Sequence, residues 1–597
     1  MKAEQMKTIS EVYLELIKNL HWQDGLVQIP KPGHTKEASQ HQVCHEGRTS
    51  ADYYAIGTWL QQMDEEVGLS ILKELSALQI SDPQHKQYGG MRWYREETKI
   101  NDTNAAFFIM MPITTIRFLY PEAIPNTHIQ LIDKMMEASL AWFAHELRDP
   151  ILYYPNKIIS DGAILLTLSR IRNHEIYYQD AVNFFEKWDA YTVERGWGWG
   201  ENISLHYLPI IINALGLACK ALKESDSALK LKLEKHIEEL LAYIRFQGTG
   251  ELVPSIRSYN FDGKADKSSF LWIIAGLRNE VMNEIKQDSI VNNWSLTSIL
   301  TLLLFEQYWQ EQQVLELEVP RSRKEHIFDE SYSFTWIGKS GRLGSINKFP
   351  VIPGSYQWPT WGLGWQSFPV SYRIEGEQLG YLRWFVKERG VRRTHPAETF
   401  RTYLSPALFG EEWFPNVQTR CAQHDHMLLV YRMMEGVHNQ VAELVDEWVI
   451  HRYQGEIHQL QCDEAGFTRT WIVLPYQNAT IAITSLRGIP YSRNERVDQV
   501  INVHREGDTL LLRQELYRGE EQVIHHPRLE SGWAVLFLDQ NLNQANIQQL
   551  LDGVKITDIS KIDGEAPRTS YTEIRHIEMA DTVGHVSLTI DPFYMNI

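Results

Sequence analysis

The sequence predicts a two-part fold: antiparallel helical hairpins that form a bundle or a closed ring, followed by a large antiparallel β-sandwich. Two observations predict it. Up to about residue 315 apolar residues recur at helical spacing. Beyond that point the segments are short, β-branched and aromatic, and are punctuated by Gly, Pro, Asn and Asp. A third observation concerns function: loops rich in Gly, Trp, Asn and Tyr recur after alternate helices, as they would if one rim of a helical ring were the site.

At 597 residues the chain is too long for one ordinary domain. The expected domains are 1–315 (helical), 316–550 (sandwich) and 551–597 (a β extension of the sandwich). Ile9, Val12, Tyr13, Leu16, Ile17 and Leu20 make the first stretch an amphipathic helix over 5–20. Further helices are expected at 50–65, 66–79, 103–119, 126–147, 158–171, 176–192, 204–223, 226–247, 268–286 and 293–313. Ser50, Asn101 to Thr103 and Asp266 are candidate caps. Arg321–Lys324 reads as a solvated connector. Strands are expected at Ser331–Ile337, Tyr381–Phe385, Met427–Met433, Glu447–Tyr453, Thr468–Leu474, Thr480–Leu486, Thr509–Leu516, Trp533–Leu538 and His585–Ile590.

A hydrophobic fraction of 43% and a charged fraction of 22% are those of a globular protein. The net charge of −18 argues against nucleic acid as a partner, and an anionic substrate would need a locally basic cleft. No apolar run is long enough for a membrane span. The N-terminus has no apolar signal core, and Cys44, Cys219, Cys421 and Cys462 form no CxxC pair. A cytoplasmic protein with reduced thiols is expected.

The richest stretch is Gly196–Tyr207, GWGWGENISLHY, taken with Pro254–Asn260, PSIRSYN, about fifty residues later. Its glycines permit close backbone approach, and Trp197 and Trp199 offer flat faces to sugar rings. Asn202 and His206 are four apart and share a face if a helix starts here. Arg257 and Tyr259 point the same way on an extended segment. An amide, an imidazole, a guanidinium and a phenol suit removal of a proton from carbon beside a carboxylate. A helix-entry loop with a core tryptophan is the plainer alternative.

Other constellations surround this one. Tyr88–Tyr94, with Arg92 and Trp93, and Asn101–Asn104 are candidate rim residues, although Asn101 is also a good helix cap. Trp358, Trp361 and Trp365 form either an aromatic wall of a sugar cleft or core at a domain junction. Arg389–His395, with Arg393 and His395, is a carboxylate or sulfate binder or a solvated turn. His424 and His426 share a face if both lie on a strand. A structural divalent metal there would need a third ligand that the sequence does not identify, so no cofactor is firm. Glu201 is a candidate substrate contact, and Asp161 with Glu201 is a carboxylate pair for glycoside hydrolysis.

Helical hairpins followed by a sandwich, with Asn202 and His206 on a toroid loop, Tyr259 about fifty residues on, and histidines in the sandwich (His395, His424, His426), resemble the polysaccharide lyases built from an (α/α) toroid and an antiparallel β-sandwich, the heparinase II/III-type and related enzymes. The resemblance implies an anionic poly- or oligosaccharide partner. It also implies β-elimination at a uronate, with Asn202 neutralising the carboxylate, His206 as base and Tyr259 as acid. The family's commoner pattern has Asn and His adjacent, so Tyr259 stays open as both base and acid. A glycoside hydrolase on the same scaffold and a non-catalytic carbohydrate-binding protein are the alternatives.

Overall fold

The computed structural model describes residues 3–30, 32, 34–258, 270–286, 295–309, 318–349, 367–374, 378–388, 391–393, 416–435, 440–464, 467–524, 528–563, 572–582 and 584–591. The chain forms two compact units. One is Met1–Glu251 with Asp266–Leu317, and the other is Leu252–Ala265 with Glu318–Ile597.

The first unit contains α1 (Ala3–Lys18), α2 (Gly47–Trp59), α3 (Glu65–Leu78), α4 (Asn104–Leu119), α5 (Asn126–Glu146) and α6 (Pro155–Arg172). It continues with α7 (Glu175–Arg195), α8 (Leu208–Ala221), α9 (Ser227–Gln247), α10 (Leu271–Ile274), α11 (Arg278–Lys286) and α12 (Leu296–Leu304). Helices α2, α4, α6, α8 and α12 each pack on the next, and α12 packs back on α2, so these five close a ring. Thr297 Oγ1 on α12 donates to Asp52 Oδ2 on α2 at 2.8 Å across the closing pair. Helices α3, α5, α7 and α9 pack on ring members and on one another. The difference between the two sets lies in their residues. In α8, LPIIINALGLACKA, only Pro209 and Lys220 escape burial, so the helix is apolar all round. In α9, Leu229, Leu233, Ile237, Leu240 and Ile244 are buried while Lys230, Lys235, Glu238 and Glu239 stay exposed.

Three details depart from the predicted helices. The cap of α2 is Glu46, whose carboxylate accepts the Thr49 N–H at 3.2 Å. Ser50 lies inside the helix, and its Oγ accepts the Val27 N–H. The stretch 268–286 is broken, because Gly276 at φ 96° separates α10 from α11. A small antiparallel sheet of β1 (His21–Gln23), β2 (Leu26–Pro30) and β3 (Val43–Glu46) precedes α2.

The second unit contains β4 (Arg321–Phe328), β5 (Ser331–Ile337), β6 (Gly341–Ile346), β7 (Val370–Ile374), β8 (Gln378–Glu388) and β9 (Val391–Arg393). Next come β10 (Asn416–His424), β11 (Met427–Glu435), β12 (Gln440–Ile450), β13 (His458–Glu464), β14 (Phe467–Pro475) and β15 (Thr480–Ser485). Then follow β16 (Asn502–Glu506), β17 (Thr509–Val523), β18 (Leu529–Leu538), α13 (Gln544–Asp552), β19 (Lys555–Asp563), β20 (Thr572–Ala580) and β21 (His585–Ile590). The basic run Arg321–Lys324, expected as a connector, is the start of β4: its backbone pairs with β5.

One sheet runs β16-β17-β12-β8-β7-β6-β5-β4, with β9 on β8, and a second runs β10-β11-β18-β15-β14-β13. Trp336, Tyr372, Trp448, Ile483, Trp533 and Phe537 belong to the core between them. The other face of the six-stranded sheet is covered as well. Leu429, Tyr431 and Trp471 pack in one cluster with Ile547 and Leu551 of α13 and Met579 and Leu588 of the β19–β20–β21 sheet. Strand β18 is therefore buried along its whole length.

The segment after α9 joins this second unit, although it precedes the sandwich by some sixty residues. Val253 O accepts from Thr335 Oγ1 at 2.7 Å, and Ser255 pairs with Phe368. A Cβ on Gly344 would stand 2.4 Å from Pro254 Cδ, so only glycine admits this approach.

Candidate active site

In the helical unit the GWGWGENISLHY loop leaves α7 through Gly196 at φ 96°. Trp199 N donates to Tyr153 O at 3.0 Å. Gly198, at φ 57°, makes that possible, since a Cβ there would stand 2.2 Å from Tyr153 O. The Trp199 ring then lies 4.1 Å from that of Tyr154. Glu201 accepts the Asn156 N–H at 2.7 Å and its amide at 2.8 Å, which fastens the loop to the first turn of α6.

Asn202 and His206 are not on one helical face. Glu201–Ile203 is a single 3₁₀ turn, Ser204 is extended, and α8 starts only at Leu208 with Pro209 in its first turn. Asn202 is buried, whereas His206 is partly exposed. Trp197 and Trp199 are also buried, with the Trp197 ring 5.7 Å from that of His236, so neither is the open sugar platform expected.

The carboxylates proposed for hydrolysis have other work. Glu201 is 0% exposed and its two oxygens are on Asn156, which also corrects its expected place as a substrate contact. Asp161 is 1% exposed and pairs with Lys157 at 2.8 Å. Burial raises the Asp161 carboxyl to about 6, with Lys157 pulling it down.

Arg92 and Trp93 are structural as well. The Arg92 guanidinium donates to the carbonyls of Glu97 and Ala77, and Trp93 is 1% exposed. The residue behind this arrangement is Glu97, also buried. It accepts the Trp93 and Tyr94 N–H groups, Thr35 Oγ1 and Asn101 Nδ2.

A row of side chains that no local motif announces continues from Trp199. Asn104 Nδ2 donates to Tyr154 Oη at 2.6 Å, and Asn104 N donates to Asp102 Oδ1 at 2.9 Å. Asp102 Oδ2 meets His34 Nε2 at 2.9 Å. Burial would raise the Asp102 carboxyl, but His34, the Asn104 N–H and Trp93 outweigh it and hold it below the usual range. The His34 ring lies 4.2 Å from Trp93, and Trp93 lies 5.0 Å from Phe108. The Arg48 guanidinium sits 4.3 Å above the Phe108 ring.

Phe108 also lines a cavity of about 20 Å³ among the ring helices, with Asp52, Ser160, Asn213 and Thr297 among its other walls. Among the described residues the Asn213 amide and Ser160 Oγ have no hydrogen-bond partner. The space suits one water molecule.

In the second unit Arg257 is 3% exposed at φ 52°, and its N–H donates to Ser367 Oγ at 2.9 Å. The expected sharing of a face on an extended strand therefore fails at Arg257, because the backbone is left-handed there. His424 ends β10 and is exposed. His426 falls in the tight turn with Asp425 (φ 48°), not on a strand beside His424. Among the described residues no three His, Cys, Asp or Glu side chains are grouped to hold a metal. Tyr259, Trp358, Trp361, Trp365 and His395 lie outside the described residues, as does the side chain of Arg393. The four cysteines are buried free thiols, and among the described residues no helix is long and apolar enough to cross a membrane.

No family model matches the chain, and no curated protein matches it. Among solved structures it is similar to one titled "Crystal Structure of Heparinase III", with a TM-score of 0.46 and 11% sequence identity, covering 99% of this chain and 91% of that one.

Proposed function

We propose that the chain is a carbon–oxygen lyase that cleaves a uronate-containing poly- or oligosaccharide by β-elimination. The observation that supports this most is Arg257: a buried guanidinium on left-handed backbone, which costs a non-glycine residue on the order of 1 kcal/mol or more and recurs at functional sites. A C5 proton beside an ionised carboxylate is barely acidic, because its removal builds a second negative charge. Asn202 or Arg257 offsets that charge as it forms. His206 or Tyr259 takes the C5 proton, the C4–O bond breaks as the C4–C5 double bond forms, and Tyr259 returns a proton to the leaving oxygen. Glu201 holds Asn156 with both oxygens and Asp161 is paired with Lys157, which weighs against the hydrolase alternative.

Incubation with alginate, hyaluronan, chondroitin sulfate and heparan sulfate tests the reading. New ultraviolet absorbance from a C4–C5 double bond is the expected result. New reducing ends without absorbance would make the chain a hydrolase. Neither signal, with binding retained, would make it a carbohydrate-binding protein.

A further inference from the structure

We propose that Arg48 is the anion anchor of a second sugar subsite in the helical unit, one that takes the carboxylate of a further acidic sugar. The inference rests on the lyase reading only for the class of ligand, an acidic glycan.

The argument begins with an unusual cation. Arg48 is partly exposed in the first turn of α2, stacked on Phe108, and forms no ion pair among the described residues. Asp52, one helical turn on, feels its charge, but is buried and already accepts from Thr297. In a chain of net charge −18 a guanidinium held against an aromatic face, with no ion pair among the described residues, is a ready binder of carboxylate. The backbone dipole of this first turn already meets a carboxylate, that of Glu46, so a bound carboxylate would answer to the guanidinium.

The second part of the argument is continuity. Arg48, Phe108, Trp93, His34, Asp102, Asn104, Tyr154 and Trp199 touch in succession, and Trp199 is in the loop that carries Asn202 and His206. Partly exposed His34, Asn104 and Tyr154 lie between the two ends. They supply polar atoms and a ring edge of the kind that contact sugar hydroxyls. Asp102 fixes the orientation of His34, so the row is set before ligand arrives.

The test measures binding apart from turnover. Tetrasaccharides and disaccharides of hyaluronan, alginate and heparan sulfate are titrated against the full chain by calorimetry, beside tetrasaccharides whose carboxyls have been reduced to alcohols. Wild type is expected to bind at least one acidic tetrasaccharide. Arg48→Gln should weaken that binding about tenfold or more and leave the disaccharide unchanged, and Arg48→Lys should restore part of it. Carboxyl reduction should weaken wild type and leave Arg48→Gln little further affected. Tetrasaccharide binding that is equal in wild type and Arg48→Gln would overturn the proposal, as would a wild type that binds none of the probes. If reduction leaves wild-type binding intact while the sulfated probe alone depends on Arg48, the anchor serves sulfate and the carboxylate assignment falls. Thermal midpoints guard against misfolding, and Arg48→Lys keeps the test open if Arg48→Gln unfolds. The two proposals fail separately. Absence of new absorbance sinks the elimination and leaves the titration intact. Cleavage with Arg48-independent affinity sinks only the subsite.

Discussion

Burial raises the Asp52 carboxyl to about 6 even though Arg48 and Thr297 pull it the other way. A folded-state pKa above the unfolded value of 3.8 means that the folded chain binds the proton more tightly. Stability from this group is full below about 4 and falls as pH rises through about 6. Asp52→Asn removes the charge and nearly keeps the shape. Its melting temperature should match wild type near pH 4 and exceed it near pH 8, by the equivalent of about 2–3 kcal/mol. Equal midpoints at both pH values would show that Asp52 is solvated. The cluster above it could not be found from local pattern: His34 and Asp102 are 68 residues apart, and Arg48 looks like any first-turn arginine. Asn202 and His206 stand out by residue type, but the face they would share if a helix started there does not form, because Ser204 is extended.

Gly198 shows how an element can depend on one backbone position. It carries φ 57° and touches the Tyr153 carbonyl, so Gly198→Ala meets both strain and a clash. Gly507, in the turn from β16 to β17, has φ 62° but nothing within 4 Å of a Cβ. Gly507→Ala should therefore cost about 1 kcal/mol, while Gly198→Ala should cost on the order of 2–4 kcal/mol and displace Trp199. Urea titration measures the difference, and equal costs would remove the Tyr153 contact from the argument. Long elements were readable for physical reasons. α5 and α7 keep one apolar stripe, and β21 alternates strictly between exposed and buried positions. Strands β1 to β3 have three to five residues each, too few to show a period. The break at Gly276 leaves no mark on the apolar pattern, because the residues on either side keep helical spacing.

The outer layer of the second unit is fastened by charge as well as by apolar packing. Glu530, 0% exposed on β18, accepts from Arg496 Nε at 2.5 Å and pairs with Arg528 at 2.8 Å and Arg575 at 3.4 Å. Arg575 in turn pairs with Asp558 of β19 at 2.6 Å. Glu573 of β20 pairs with Arg496. Burial would raise the Glu573 carboxyl, but Arg496 and Arg528 prevail and hold it below its usual range. A lowered folded-state pKa gives stability that is present above the unfolded value of about 4.3 and is lost as pH falls through the folded one. Hydrogen exchange at decreasing pH should thus release β19 to β21 before β18, and Glu573→Gln should weaken the layer by about 2 kcal/mol at neutral pH. Simultaneous release of all four strands would refute this. None of these pairings was visible in the sequence, because strand alternation reports which face is buried and not which strands are neighbours.

The early position of Leu252–Ser258 also governs the order of events on the ribosome. Val253 finds Thr335 only 82 residues later, and Arg257 finds Ser367 only 110 residues later. At 5–20 residues per second that is a wait of roughly ten seconds. Throughout it the α-helices up to α9 have the chain they need, while Val253 and Arg257, in a segment whose Leu252, Val253 and Ile256 are each later 0% exposed, wait for Thr335 and Ser367. Neither unit is one uninterrupted stretch of chain, so a cut near residue 317 would leave that wait without an end.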